Sequence, residues 1–228
     1  MLKLRYLGHS AFSISTSKGD VLIDPFLGGN PQAAIKAKEV RADIILVTHA
    51  HGDHLGDAIG IAKRTGATIV GTYELAQYCA GQGAKTIDAH FGGVIELPMG
   101  RVKLFPAMHS SSADDGTCLG QAASFVLSIE DNSIYHAGDT ALFSDMSLIQ
   151  EEYALDVAML PIGGHYTMGI DDAVRAVKLL KPRTVVPMHY GTFPVIAADP
   201  VEFKRKVEAV TSSRCKVLHP GDSMEIGE

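Results

Sequence analysis

One stretch of the chain joins a predicted buried strand to four side chains of the types that bind metal ions in proteins. It reads Ile45-Leu46-Val47-Thr48-His49-Ala50-His51-Gly52-Asp53-His54. The largely apolar run over residues 43–48 predicts a strand that is buried on both faces of a sheet. Because alternate side chains of an extended segment point the same way, His49 and His51 can bind one cation together. The chain then turns and directs Asp53 and His54 toward a second cation about 3.5–4 Å from the first.

Solvated surface histidines are the alternative interpretation of this cluster, and four ligands at the end of one strand argue against it. Four side chains cannot complete two metal sites of four to six ligands each. We therefore expect further ligands at other strand ends, where loops converge on one edge of a sheet. The candidates are His109, after the run 102–107, Asp139, after a strand that ends at His136, and His189, after the run 184–187.

The composition is that of an ordinary globular protein. Hydrophobic residues make up 46% of the 228 residues and charged residues 20%, and the mean hydropathy is +0.12, which excludes a disordered chain and a coiled coil. No apolar run approaches the ~20 residues of a membrane helix. The net charge of −6 argues against nucleic acid as the partner. We expect a small-molecule substrate and leave the formation of a homo-oligomer open.

Cellular location is predicted from the first residues and the cysteines. The chain begins with alternating sequence and lacks the basic and apolar regions of a signal peptide. Its three cysteines are odd in number and share no Cys-x-x-Cys spacing, which favours reduced thiols over a disulfide framework. The sequence therefore predicts a cytoplasmic protein.

The order of the predicted elements indicates one domain over residues 1–228, with two packed sheets and outer helices. Strands are predicted at residues 2–6, 11–16, 21–24, 43–48, 68–70, 94–97, 102–107, 124–129, 133–136, 156–160, 184–187 and 216–218. Helices are predicted at residues 57–64, 73–80, 171–180 and 201–210. Residues 109–118 are polar and predict either a lid over the site or a solvated connection.

In motif order and spacing the chain resembles the metallo-β-lactamase-fold superfamily. The match comprises Asp24, the cluster from His49 to His54, His109, Asp139 and His189, and it extends from about residue 2 to residue 222. The resemblance implies an α/β (α+β) fold, a four-layer αββα sandwich of two mixed β-sheets with outer helices, and a dinuclear metal site at one edge.

The resemblance also implies how the ligands divide between two metal ions. The first ion would be held by His49, His51 and His109, the second by Asp53, His54 and His189, and Asp139 would bridge both. Asp24 would orient the metal-binding loop, or else it only caps a turn before Pro25.

Two positions separate the chain from better-known branches of that superfamily. Asp139 stands where the antibiotic-hydrolysing branch carries Cys, and His51 stands where the flavodiiron branch carries Glu. The stretches 6–10 and 160–168 resemble a compact bacterial and archaeal group of metal-dependent hydrolases. That group is similar to ascorbate-6-phosphate lactonases and N-acylphosphatidylethanolamine phospholipase D.

These observations predict a hydrolase with two divalent metal ions, Zn²⁺ first and Mn²⁺ or Fe²⁺ as alternatives. The ions would lower the pKa of a shared water and supply hydroxide for an ester, lactone or phosphodiester bond. Asp53 or Asp139 would take up the proton, and His165 would steady the developing oxyanion or protonate the leaving group, unless it only packs its loop.

Three other functions and one other histidine stay open. The alternative functions are an iron redox protein on the same fold, a non-catalytic metal-binding protein and an RNA-processing nuclease, against which the acidic net charge counts. His9 also follows a predicted strand, so it either lies near the metal site or packs elsewhere.

Overall fold

The computed structural model describes residues 2–227, within which two seven-stranded sheets are formed. The strands of the first sheet are β1 (Lys3–Gly8), β2 (Ala11–Thr16), β3 (Gly19–Ile23), β4 (Ile44–Leu46), β5 (Thr68–Thr72), β6 (Lys85–Ala89) and β14 (Ser223–Glu225). Their order across the sheet is β14-β1-β2-β3-β4-β5-β6. Strands β3 to β6 are parallel to one another, and β14, β1, β2 and β3 pair antiparallel.

The second sheet is also mixed. Its strands are β7 (Val94–Leu97), β8 (Gly100–Ser112), β9 (Cys118–Ile129), β10 (Asn132–His136), β11 (Val157–Pro161), β12 (Thr184–Met188) and β13 (Arg214–Cys215). Their order is β13-β12-β11-β10-β9-β8-β7, with parallel pairing from β10 to β13 and antiparallel pairing elsewhere.

Helices cover the outer faces of both sheets. They are α1 (Gly52–Leu55), α2 (Ala58–Thr65), α3 (Tyr73–Gly81), α4 (Met146–Glu152), α5 (Ile170–Leu180) and α6 (Pro200–Val210). In α5 the buried residues Ala173, Val177 and Leu180 recur every three or four positions, which places one apolar stripe against the core. Among residues 2–227 no helix is long and apolar enough to cross a membrane.

Two apolar clusters show the order of the layers. The larger contains residues of both sheets, such as Phe12 and Phe125, together with Phe203 of α6. The smaller joins the other face of the first sheet, for example Ile45, to Ile61 of α2 and its neighbours. The four-layer αββα sandwich predicted from the resemblance is therefore confirmed, whereas the single domain over residues 1–228 stays a prediction.

The structure corrects several element boundaries. The predicted connection over residues 109–118 is shorter than expected, because β8 and β9 extend into it as a hairpin that pairs Ser110 with Gln121 and Ser112 with Cys118 and leaves residues 113–117 as the turn. The predicted strand 216–218 is also wrong, since the edge strand is β13, two residues earlier. The sequence patterns missed α1, α4, β6 and β14, which are short or exposed elements with weak periodicity.

The topology brings the chemically interesting loops to one edge of the sandwich. Parallel strands end at the same edge of a sheet, so β3 and β4 deliver Asp24 and the histidine-rich loop to the same place. In the second sheet, β10 and β12 end just before Asp139 and His189. The site is thus built where the ends of two facing sheets meet.

Candidate metal centre

Three histidines form the first ligand cluster. Nε2 of His49 lies 3.0 Å from Nδ1 of His51, and the ring of His109 completes the group from β8. One ligand atom from each of the three lies within 4.8 Å of the others. The structure therefore brings together the three residues expected to hold the first ion.

The second cluster forms beside it. One ligand atom each from Asp53, His54 and His189 lies within 4.8 Å of the others, and His9 belongs to the same group. Nε2 of His189 is 3.7 Å from Oδ2 of Asp53. The three residues expected to hold the second ion are thus adjacent, with one histidine more than the sequence interpretation assigned.

Asp139 lies between the two clusters. Its Oδ1 is 3.1 Å from Nε2 of His54, and its Oδ2 is 3.1 Å from Nε2 of His189. Oδ2 also lies 3.6 Å from Nε2 of His109, which belongs to the first cluster. A buried carboxylate that faces both clusters has the position a bridging ligand needs.

Three buried ligand atoms of the site are placed to bind a metal ion rather than to form hydrogen bonds with one another. Within residues 2–227, Nε2 of His54, Nε2 of His189 and Oδ1 of Asp139 are buried and make no hydrogen bond, although charged partners lie 3.1 Å away. Buried polar atoms normally find a partner, because leaving one unpaired costs about 1–3 kcal/mol. Two imidazole nitrogens and a carboxylate oxygen that converge on one point are the arrangement that a cation between them requires.

Asp24 fixes the orientation of two of the histidines. Its carboxylate accepts hydrogen bonds from the Thr48 N–H (2.8 Å), the Thr48 hydroxyl (2.7 Å) and Nδ1 of His54 (2.7 Å). Because the Thr48 hydroxyl gives its proton to Asp24, its oxygen accepts from Nδ1 of His49 at 3.0 Å. Both histidines thus carry a proton on Nδ1 and present Nε2 to the site.

Further contacts that the sequence patterns missed hold the metal-binding loop in place. The Ser111 hydroxyl accepts the Ala50 N–H at 3.1 Å. Gly138 has φ +59°, and a Cβ there would lie 2.9 Å from both the Ala123 carbonyl oxygen and Cβ of Thr48. Only glycine lets the backbone before Asp139 approach the loop this closely.

The charges of the cluster shift the pKa values of its members in opposite directions. Burial alone would lower the pKa of His54, but the carboxylates of Asp139 and Asp24 outweigh it and hold that pKa well above its usual value. Burial likewise opposes ionisation of Asp139, yet the charges of His54 and His189 keep its pKa well below the usual range. Burial and the charge of His54 lower the pKa of His49. The metal-free site thus holds both charged and neutral imidazoles.

Comparison with known proteins agrees with this architecture. A family model described as a beta-lactamase superfamily domain matches residues 3–189. The chain belongs to the metallo-β-lactamase superfamily. It is 51% identical over 229 residues to a UPF0173 metal-dependent hydrolase of Pelotomaculum thermopropionicum, covering 99% of this chain and 100% of the relative. It is 52% identical to one of Thermococcus onnurineus, with the same coverage.

A solved structure extends the likeness to three dimensions. Igni18, described as a novel metallo hydrolase from the hyperthermophilic archaeon Ignicoccus hospitalis, superposes with a TM-score of 0.90 at 42% identity, covering 98% of this chain and 97% of that chain. Within the superfamily, the chain is therefore one of the UPF0173 metal-dependent hydrolases. The resemblance seen in the sequence is confirmed.

The metal centre opens into a cavity of about 300 Å³. Its lining consists of His51, Asp53, His109, Ser110, Asp139, Tyr166 and His189. Of the described residues, no Lys or Arg is part of that lining, so the positive charge for an anionic substrate would have to come from metal ions.

His165 stands apart from the ligands. It is exposed, has φ +58°, and its ring contacts the ring of the cavity residue Tyr166 with centroids 4.5 Å apart. The structure therefore places it beside the cavity mouth, outside the two ligand clusters, and its catalytic role stays a prediction.

His9 is the histidine whose position the sequence left open. It is fully buried and lies against the second cluster, with Nε2 3.1 Å from Oδ2 of Asp53. Burial lowers its pKa to about 4, although the hydrogen bond to Asp53 works in the other direction. The signal available in the sequence was that His9 follows β1, which runs in the same direction as β3 and therefore ends at the same edge of the sheet.

We expect the metal-free chain to release protons when it binds Zn²⁺ at pH 7. His189 carries a proton at that pH, since its pKa is raised to about 9, the pKa of His54 is raised as well, and a cation needs the neutral ring. Calorimetric titration in two buffers of different ionisation enthalpy counts these protons. Release should fall as the pH rises through about 9, because His189 is then already neutral. Binding at pH 7 without proton release would contradict this charge assignment.

Proposed function

We propose that the chain is a dinuclear metal-dependent hydrolase that acts on an ester, lactone or phosphodiester bond of a small molecule. The observation that supports this most strongly is Asp139, a buried carboxylate that faces His109 of one ligand cluster and His54 and His189 of the other. Two cations bound here would lower the pKa of a shared water toward ~7 and polarise the scissile group.

The carboxylates of the site have different exposure, which favours different roles. Both line the cavity, but Asp139 has only 3% of its side chain exposed, whereas Asp53 has 29%. We assign to Asp139 the role of the ligand that bridges the two cations. We assign Asp53, which a substrate can reach, to accepting the proton that leaves the nucleophilic water.

The loop from Gly163 to Gly169 supplies the remaining proposed group. The two glycines pair as an isolated bridge, so the residues between them form a closed turn at the cavity mouth. We propose that His165 in this turn donates a hydrogen bond to the oxygen on which charge develops. Its exposed position next to Tyr166 supports access to a bound substrate.

The donor set supports Zn²⁺ as the first choice of metal. The clusters offer imidazole nitrogens and carboxylate oxygens, and nitrogen-rich sites of this kind suit Zn²⁺, with Mn²⁺ and Fe²⁺ as alternatives. We further propose a cytoplasmic location, which the three free cysteines Cys79, Cys118 and Cys215 support.

The proposed function predicts turnover that depends on added metal. After removal of bound metal with a chelator, the protein should hydrolyse at least one of an aryl ester, a γ-lactone and bis(p-nitrophenyl) phosphate when Zn²⁺ or Mn²⁺ is restored. His219→Gln, which alters an exposed histidine after β13, serves as the matched control and should behave as the wild type. Hydrolysis that persists unchanged in the chelated protein would contradict the proposal.

A further inference from the structure

His9 occupies a turn that is tied to both sides of the metal centre. Together with the next residue it connects β1 to β2 between the paired residues Gly8 and Ala11, and its φ is +59°. Its carbonyl oxygen accepts the His189 N–H at 2.8 Å and the Tyr6 hydroxyl at 3.0 Å. The turn is thereby fixed to the end of β12, where a proposed ligand of the second cation lies.

The His9 ring has a hydrogen-bond partner on each side. Nε2 lies 3.1 Å from Oδ2 of Asp53, and Nδ1 lies 2.9 Å from the hydroxyl of Thr192. An ionised carboxylate only accepts hydrogen bonds, so Nε2 must be the donor in this pair. In the neutral ring that proton is the only one, so Nδ1 accepts a hydrogen bond from the Thr192 hydroxyl.

The surroundings of the ring leave it little freedom to turn. The rings of Phe26 and Phe193 approach it edge-on with centroids 5.6 Å and 5.7 Å away, and the ring of His189 is 4.1 Å away. Asp53, by contrast, stands on the four-residue helix α1 and is 29% exposed. The rigid His9 ring therefore donates a hydrogen bond to the Asp53 carboxylate, which the short helix α1 restrains only weakly.

We propose that His9 is a positioning residue that holds the Asp53 carboxylate toward the second cation. This inference rests on the proposed function, because it presupposes a second cation held by Asp53, His54 and His189. Ordering of the ligand before the cation arrives reduces the entropy that binding must overcome, and loss of such a partner typically costs 10–100-fold in metal affinity.

A pair of substitutions separates this role from other uses of the histidine. In His9→Gln the amide nitrogen stands the same number of bonds from the backbone as Nε2 and can donate to Asp53. In His9→Asn the amide is one bond too short to reach, although Asn tolerates positive φ well. Neither amide replaces an imidazole as a metal ligand, so rescue by Gln distinguishes positioning from direct coordination.

The test is titration of the metal-free proteins with Co²⁺, followed by its visible absorption, and with Zn²⁺ in competition with a chelating dye. We expect His9→Asn to bind the first cation as the wild type does and the second about 10–100-fold more weakly. His9→Gln should stay within about threefold of the wild type. Thr192→Val, which removes the partner of Nδ1, should weaken the second site less than His9→Asn does. Thermal unfolding without metal shows whether each variant folds.

Each possible failure has a distinct outcome. Equal affinity of the wild type and His9→Asn for two cations would overturn the role of His9 and leave the proposed function standing. Weak binding by both Asn and Gln variants would show that the imidazole itself is required, which also overturns positioning through a hydrogen bond. A wild-type protein that binds only one cation would overturn the dinuclear function together with this inference.

Discussion

Asp139→Asn should lower metal-dependent turnover on the order of 10³-fold or more, since the charge that joins the two cations is worth several kcal/mol. The substitution preserves the shape of the side chain but removes the negative charge that lies 3.1 Å from His54 and His189. We expect the number of tightly bound cations to fall below that of the wild type. Steady-state kinetics together with metal analysis of the dialysed variant measures both effects.

The matched control is Asp172→Asn on α5, an aspartate that is half exposed and pairs with Arg175. It should retain the metal content and the turnover of the wild type. If Asp139→Asn retained full activity and the wild-type metal content, the assignment of Asp139 as the bridging ligand would be wrong. The fold should remain intact in both variants, which circular dichroism checks.

Asp24→Ala should lower the free energy of unfolding of the metal-free protein by about 3 kcal/mol. The substitution leaves three buried donors without their acceptor, namely the Thr48 N–H, the Thr48 hydroxyl and Nδ1 of His54. The positive φ of +44° at this position adds strain for alanine. Urea unfolding of the two metal-free proteins measures the difference.

Asp24→Asn separates the metal effect from the stability effect. Asn tolerates positive φ, and its amide oxygen still accepts the Thr48 N–H. Its amide NH₂, however, takes the place of the oxygen that accepts from both the Thr48 hydroxyl and Nδ1 of His54. It moves the ring proton of His54 to Nε2, where a cation must bind, and the turned Thr48 hydroxyl does the same to His49. We therefore expect most of the stability to remain while affinity for both cations falls, each about 10–100-fold. An unchanged affinity for the second cation in this variant would show that Asp24 does not set which nitrogen of His54 carries the proton.

Most ligands of the metal centre were predictable because they follow a simple rule of parallel strands. His109 is the exception, since it lies within β8, which pairs antiparallel with both of its neighbours. The histidine-rich stretch after β4 indicates a metal site by itself, and Asp139 and His189 each follow an apolar strand run. Strands that run in the same direction end at the same edge, so these residues had to converge once two sheets faced each other. The structure brings all seven expected ligands to that edge.

The contacts between distant residues could not be read from local patterns. The polar composition of residues 109–118 resembles a loop, but pairing of β8 with β9 makes residues 109–112 and Cys118 strand and leaves only 113–117 as the turn. Nothing in the sequence shows that Ser111 supports Ala50, or that His9 meets Thr192, 183 residues further along the chain. Such contacts follow from the register and packing of the sheets, which depend on the whole fold.

The dinuclear centre is tested most directly by the metal content per chain. Elemental analysis of protein purified without chelator and without added metal should find about two divalent ions per chain, zinc first, if Asp139 bridges two cations as we propose. A chain that carries no metal and takes up none on titration with Zn²⁺, Mn²⁺ or Fe²⁺ would contradict the ligand assignment and the hydrolytic function built on it.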